Sequence, residues 1–288
     1  MQALSFINAK NGTVAVRSAG NGSPVVLLHS SASSSAQWRD AMAELAPFHR
    51  VLAPDFPGYG KSQAWPCATP RTLASDADIV AALAHDCREP VHLVGHSYGG
   101  AVALWYAMRH PSTIKSLTLI EPVAFNVLRC GGRARRALLD EVEELSSAVV
   151  KALARGDHRS GMAHFIDYWN GEGTWQQMPD ERKTLVASQI DNIAQEFGAV
   201  FDEGLSAAAY EKLHLPTTIV RGDQSRAPAM SVAAALARAI PTATLHTVEG
   251  AGHMLPLTHK TKVLDVVMQH ITRCDGRFEP VTELRHAA

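Results

Sequence analysis

Gly95-His96-Ser97-Tyr98-Gly99 sets a serine between two glycines, each two residues away. The apolar run Val91-His92-Leu93-Val94 precedes it, and a helical pattern from about Tyr98 to His110 follows. So sharp a strand-to-helix turn lifts the serine hydroxyl off a sheet and leaves no room for side chains two residues to either side. A serine hydroxyl is a weak nucleophile at neutral pH. It needs an imidazole within hydrogen-bond reach and a carboxylate behind that imidazole to fix its tautomer. Of the fourteen histidines, His253 has the setting of such a base, on the loop Gly250-Ala251-Gly252 after the strand-like run Leu245 to Val248. Two carboxylates can complete the set: Glu121, directly after the run Ser116 to Ile120, and Asp223, in Gly222-Asp223-Gln224-Ser225. Each also has a plain structural alternative, an ion pair with Arg221 or Arg226 for Asp223 and a hinge contact for Glu121.

The elements that must hold these residues follow from hydrophobic pattern. Apolar runs at Pro24 to Leu28, Arg50 to Pro54, Val91 to Val94 and Ser116 to Ile120 alternate with helical patterns around Trp38 to Ala46 and Leu73 to Cys87. That alternation is the mark of a parallel sheet wound with helices. After Ile120 it stops. Leu138, Leu139, Val142, Leu145, Val149, Val150 and Leu153 fall on one helical face, as do Val186, Ile190, Ile193, Phe197 and Val200, with Phe165, Tyr168, Trp169 and Trp175 between them. Strands return at Thr217 to Val220 and Leu245 to Val248, and a last helix is expected near Val263 to Ile271. The predicted division is an α/β core over 1–124 and 213–288 with a helical insertion over 125–212. The tail from Arg273 to Ala288 lacks a period, and loose packing is expected there.

Composition narrows the partners. The 288 residues are 46% hydrophobic and 19% charged, which excludes disorder for the bulk of the chain. Net charge is −1, from 27 basic and 28 acidic residues, so no field gathers nucleic acid or anionic lipid. No apolar run reaches membrane-spanning length and no leader pattern opens the chain; the expectation is a cytoplasmic protein with neither nucleic-acid nor membrane partners, monomeric or homodimeric. Cys67, Cys87, Cys130 and Cys274 form no metal or redox spacing and are expected to be reduced thiols. Gly60-Lys61-Ser62 resembles the end of a phosphate loop, but that motif needs glycine where Asp55 stands.

From about Gly12 to Ile271 the chain resembles the α/β-hydrolase fold superfamily. The resemblance is carried by the serine turn, by His29-Ser30-Ser31, by Pro54-Asp55-Phe56-Pro57-Gly58-Tyr59-Gly60-Lys61-Ser62, and by Gly250-Ala251-Gly252-His253. It implies a mostly parallel, doubly wound sheet with a helical cap inserted after the sixth strand. It implies an oxyanion hole from the N–H groups of Tyr98 and Ser31, with Ser30 replacing the usual glycine. The family commonly carries its acid as G-x-x-D after the seventh strand, and here Ser225 occupies that place. A branch of the haloalkane dehalogenases instead places a glutamate after the sixth strand, which favours Glu121. The cap position makes Phe125, Phe165, Tyr168, Trp169 and Trp175 pocket candidates, and His29 and Ser30 adjoin the site by motif.

The resulting expectation is a serine hydrolase, foremost a carboxylesterase taking a small-molecule acyl substrate through Ser97, with His253 as base and Glu121 as acid. That mechanism requires no metal and no organic cofactor. C–C bond hydrolase, lactonase, thioesterase and cofactor-free perhydrolase or haloperoxidase share the same triad type. A ligand receptor with slow turnover is the reading from a different class.

Overall fold

The computed structural model describes residues 2–66 and 69–276; Cys67 and the tail beyond Gly276 lie outside the described residues. Eight strands form one sheet in the order β1-β2-β4-β3-β5-β6-β7-β8. They are β1 (Ala3–Ala9), β2 (Gly12–Ala19), β3 (Ser23–Leu28), β4 (His49–Pro54), β5 (Val91–His96), β6 (Ile114–Ile120), β7 (Thr217–Gly222) and β8 (Ala243–Val248). Strands β3 to β8 pair in parallel, and β1 and β2 extend the sheet as an antiparallel edge. The helices are α1 (Arg39–Leu45), α2 (Leu73–Cys87), α3 (Tyr98–Arg109), α4 (Gly132–Ala154), α5 (His158–Asn170), α6 (Thr174–Gln177), α7 (Asp180–Ala187), α8 (Ile190–Phe201), α9 (Ala227–Ala239), α10 (Leu255–Thr258) and α11 (Lys260–Cys274). No helix among the described residues is long and apolar enough to cross a membrane.

The central strand β5 is buried at every position, as a parallel strand covered on both faces must be. Helices α2, α3 and α9, together with the segment between β6 and β7, cover one face; α1 and α11 cover the other. That intervening segment carries α4 to α8, and α4 packs on both α5 and α8. Its apolar stripe buries Leu139, Val142, Leu145 and Val149, while Val150, expected on the same face, is 46% exposed. Val150 lies one residue beyond Val149, about 100° further round the helix, and so turns outward.

Register decides where the chemistry gathers. His96 pairs with Ile120, Ile120 with Val220, and Gly222 with Val248. The C-terminal ends of four adjacent parallel strands are therefore level, and their loops meet on one edge, where ligands bind in open α/β sheets.

The first residues of the tail expected to be loosely packed, 273–276, are held in place. Helix α11 continues through Arg273 to Cys274, and Asp275 anchors its end by accepting from the Ser23 hydroxyl at 2.8 Å, while also pairing with Lys115 and, at 3.0 Å, with His92. These partners outweigh burial and hold Asp275 well below the usual carboxylate range. A short polar anchor of this kind has no hydrophobic period. Cys87 and Cys274 are free thiols, half-buried, and Cys130 is free and exposed.

Candidate active site

Ser97 stands at the turn between β5 and α3 with φ +55°, a strained value for a residue other than glycine. A methyl group at Gly95 would overlap the Gly99 carbonyl, and one at Gly99 would lie 2.6 Å from the carbonyl oxygens of Leu28 and His29. Both glycines are thus fixed by close backbone approach. The Ser97 N–H donates to Ile120 O at 2.9 Å, tying the turn to the neighbouring strand end.

Ser97 Oγ lies 2.9 Å from His253 Nε2, and His253 Nδ1 lies 2.8 Å from Glu121 Oε2. An ionised carboxylate only accepts, so His253 carries its proton on Nδ1 and presents a lone pair on Nε2 to the serine hydroxyl. Glu121 is one residue past β6, its N–H donating to Val220 O at 2.8 Å and its φ at +45°. Its Oε1 accepts from the Ser225 hydroxyl at 2.6 Å and the Gly222 N–H at 2.8 Å. Burial opposes its ionisation, but the hydrogen bonds from His253, Ser225 and Gly222 outweigh that and hold the carboxyl below its usual range. Asp223, the other candidate, points elsewhere: its Oδ1 accepts the Gly250 N–H at 2.7 Å.

Three residues buttress this chain. The Ser30 N–H and hydroxyl donate to Gln37 Oε1 at 3.2 and 2.9 Å, Gln37 Nε2 donates to His96 Nδ1 at 3.1 Å, and His96 Nε2 donates to the His253 carbonyl at 2.9 Å. Every member is buried. Burial and the adjacent His253 keep the His96 pKa well below the ordinary histidine value, so the neutral ring that this relay requires is the stable one. Gln37 carries no motif and was invisible in the sequence.

His29 is not at the substrate space. It is fully buried, accepts from the Phe56 N–H on Nε2 at 2.9 Å, and donates from Nδ1 to Ser30 O at 2.7 Å. Both ring nitrogens are spent on shaping the loop, and burial pushes its pKa down to about 4. Tyr168 and Trp175 line neither cavity beside Ser97; Tyr168 instead donates its hydroxyl to Glu141.

Two cavities meet at Ser97, Ser31, Phe165 and Trp169. One, of about 150 Å³, also touches Ser30, His253 and Arg182. The other, of about 20 Å³, is lined by Tyr98, Phe125, Phe197 and Val200, with Glu196 as its one carboxyl. Trp169, from α5, lies tilted over His253 at 4.2 Å between ring centroids and stacks with the Phe125 ring at 6.4 Å. Tyr98 is the first residue of α3, where helix N–H groups lack intrahelical partners. Its phenol reaches away to donate to Asp76 at 2.5 Å, and Asp76 also receives both arms of the buried Arg71. Glu196 interrupts the apolar stripe of α8 between Ile193 and Phe197, a signal legible in the sequence as a carboxylate on a core-facing stripe. Among the described residues no cluster of His, Cys, Asp and Glu is placed to hold a metal ion.

Comparison with known proteins agrees with this architecture. The chain is 38% identical over 117 residues to a 2-hydroxy-6-oxo-2,4-heptadienoate hydrolase of Pseudomonas putida, covering 36% of this chain and 39% of that protein. The first curated relatives are thus matched over well under half their length. A 2-hydroxymuconate semialdehyde hydrolase of a Pseudomonas species is 25% identical over 274 residues, 89% of each chain. The crystal structure of a hydrolase from Pseudomonas aeruginosa superposes with a TM-score of 0.75 at 24% identity, covering 93% of this chain and 98% of that one. Residues 23–260 match the model described as the alpha/beta hydrolase fold, and the chain belongs to that family.

Proposed function

We propose that the protein is a serine carboxylesterase acting on small or medium acyl esters. The observation that carries this reading is the continuous hydrogen-bonded chain Ser97 Oγ to His253 Nε2, His253 Nδ1 to Glu121 Oε2. His253 takes the Ser97 proton as Oγ attacks the ester carbonyl, and Glu121 stabilises the imidazolium that results. The N–H groups of Tyr98 and Ser31 receive the developing oxyanion. His253 then delivers its proton to the departing alcohol, which occupies the larger cavity because that cavity touches the imidazole. The acyl group remains on Ser97 in the smaller, apolar cavity until water, deprotonated by His253, releases it. Residues 125–212 serve as the cap of this site: Phe165 and Trp169 of α5 and Ile193, Phe197 and Val200 of α8 line the smaller cavity and keep bulk water from the carbonyl.

The test is intact mass after exposure to a fluorophosphonate, followed by a chain-length series of nitrophenyl esters. A single adduct absent from Ser97→Ala, with turnover of short esters, is the expected result; no adduct on folded protein overturns the reading in favour of a non-catalytic receptor.

A second reading is C–C bond hydrolysis of a vinylogous diketo acid. It is favoured by the two relatives above, whose names describe dienoate and semialdehyde hydrolases, and by Arg182 at the larger cavity, which offers a cation to a substrate carboxylate. Turnover of such an acid at a rate well above that of any simple ester would select it.

A further inference from the structure

The smaller cavity ends on a polar group that the triad does not use. Glu196 is 3% exposed and lines the cavity with Ser97; neither of its oxygens makes a hydrogen bond of good geometry, although the Ser31 and Tyr59 hydroxyls lie beside it. Arg71 Nη1 forms an ion pair with Glu196 Oε1 at 3.6 Å, too long for a hydrogen bond, and the buried hydroxyl of Tyr59 lies beside the same carboxyl without a bond of good geometry. The rest of the Arg71 guanidinium is occupied by Asp76, at 2.7 and 3.2 Å. Buried polar atoms are almost always hydrogen-bonded, so the loosely held carboxyl of Glu196 on the wall of a cavity shared with Ser97 marks a place where a polar group belongs, with Arg71 and Tyr59 behind that wall.

The chemistry of that group follows from what is missing. Its partner on the cavity wall is the Glu196 carboxyl, so the group must be able to donate. A carboxylate would meet Glu196 and Asp76 as like charges, and an ammonium would meet Arg71. A hydroxyl donates to Glu196 without bringing a charge into a cavity otherwise walled largely by Phe125, Phe165, Phe197 and Val200. Size sets the chain: about 20 Å³ is space for about one water-sized group beyond Ser97, so only a short acyl chain reaches Glu196 from the serine.

We infer that Glu196, with Arg71 and Tyr59 behind it, forms a specificity subsite for the hydroxyl of a short hydroxyacyl ester, two or three carbons long. The assignment rests on Ser97 being the acylated nucleophile. The hydrogen bonds made there distinguish a hydroxyacyl chain from its deoxy analogue, because the analogue leaves the buried polar atoms unpaired.

The experiment compares kcat/KM for matched nitrophenyl esters, glycolate against acetate and lactate against propanoate, in wild type, Glu196→Met and Tyr59→Phe. Taking the ratio within each pair and then between proteins cancels the intrinsic reactivity of the esters. The wild type is expected to favour at least one hydroxy ester by about tenfold or more relative to Glu196→Met, with Tyr59→Phe intermediate. Methionine replaces the buried carboxyl with an apolar side chain of similar length and leaves Arg71 its two hydrogen bonds to Asp76, and Tyr59→Phe removes a single oxygen. Equal ratios in all three proteins, while the fluorophosphonate still labels Ser97, overturn the subsite and leave an ordered water as its occupant. Absence of labelling at Ser97 overturns the nucleophile and the subsite together.

Discussion

The hydroxyl of Ser225 donates to Oε1 of Glu121 at 2.6 Å, so the residue standing where an acid is common in this family supports an acid that comes from the neighbouring strand. Glu121 extends from the end of β6, Ser225 follows β7, and these strands are adjacent and level at Ile120 and Val220. One carboxylate oxygen is held by Ser225 and Gly222, and the other is left for His253.

Replacing that carboxylate has a defined consequence. Glu121→Gln keeps the shape but presents an amide that can donate toward Nδ1 and stabilise the wrong imidazole tautomer, and kcat is expected to fall by about three to four orders of magnitude. Ser225→Ala removes one of three hydrogen bonds to Glu121, raises the pKa of its carboxyl, and should cost about tenfold or less in kcat. Asp223→Asn should stay within a few-fold of wild type. Steady-state ester hydrolysis on the three variants checks the set; a loss confined to Asp223→Asn would transfer the acid role.

The relay from Ser30 through Gln37 and His96 ties the loop expected to supply an oxyanion donor to the carbonyl of the base. Gln37→Leu strands the Ser30 N–H and His96 Nδ1 in a buried setting, each at a cost of about 1–3 kcal/mol. It should lower the melting temperature by several degrees and reduce kcat by about tenfold while changing KM little, because Ser30 and His253 lose their fixed relation but the cavities keep their walls. Thermal unfolding and the separate kinetic constants measure both effects. Destabilisation with kcat untouched would make the relay purely structural.

The elbow is expected to reject even a methyl group. Gly99→Ala forces the new carbon against the Leu28 and His29 carbonyls, at 2.6 Å, and α3 can move away only by displacing Ser97. Fluorophosphonate labelling of the purified variant should be lost or slowed by more than about a hundredfold, since such displacement breaks the near-attack geometry. Labelling at the wild-type rate would show that the turn relaxes without cost.

Legibility in the sequence divided along physical lines. The strand–serine–helix setting, the late histidine and the helical segment between β6 and β7 were readable because each rests on local pattern: an apolar run, flanking glycines, or a period of 3.6 residues. The choice between Glu121 and Asp223 was not readable from the residues alone, because it depends on strand register, which brings Ser225 and Gly222 onto Glu121 while Asp223 turns to the Gly250 N–H. His29 was misplaced by proximity in a motif: one position after β3 its ring turns inward to Phe56. Strand β1 leaves no apolar pattern in the sequence because it is a largely exposed edge strand, where the burial that imposes one is absent.

Glu196 also ties folding to pH. Burial pushes its carboxyl from 4.5 up to about 7, against the partial offset of Arg71, with Asp76, Tyr59 and Ser31 also near it. Between these values the folded chain holds a proton that the unfolded chain releases. Stability from this group is therefore complete below about pH 4.5 and is lost as pH rises through about 7. The buried histidines act with opposite sign: His29 and His270 are pushed down to about 4, so each loses stability as pH falls below 6.5. A single pH profile mixes the two, but the difference between wild type and Glu196→Gln cancels the histidines. Urea unfolding of both proteins from about pH 4.5 to 8 should show wild type losing about 3 kcal/mol relative to the variant across that range. A difference that stays flat would mean that the Glu196 carboxyl titrates normally and that its oxygens are solvated in solution.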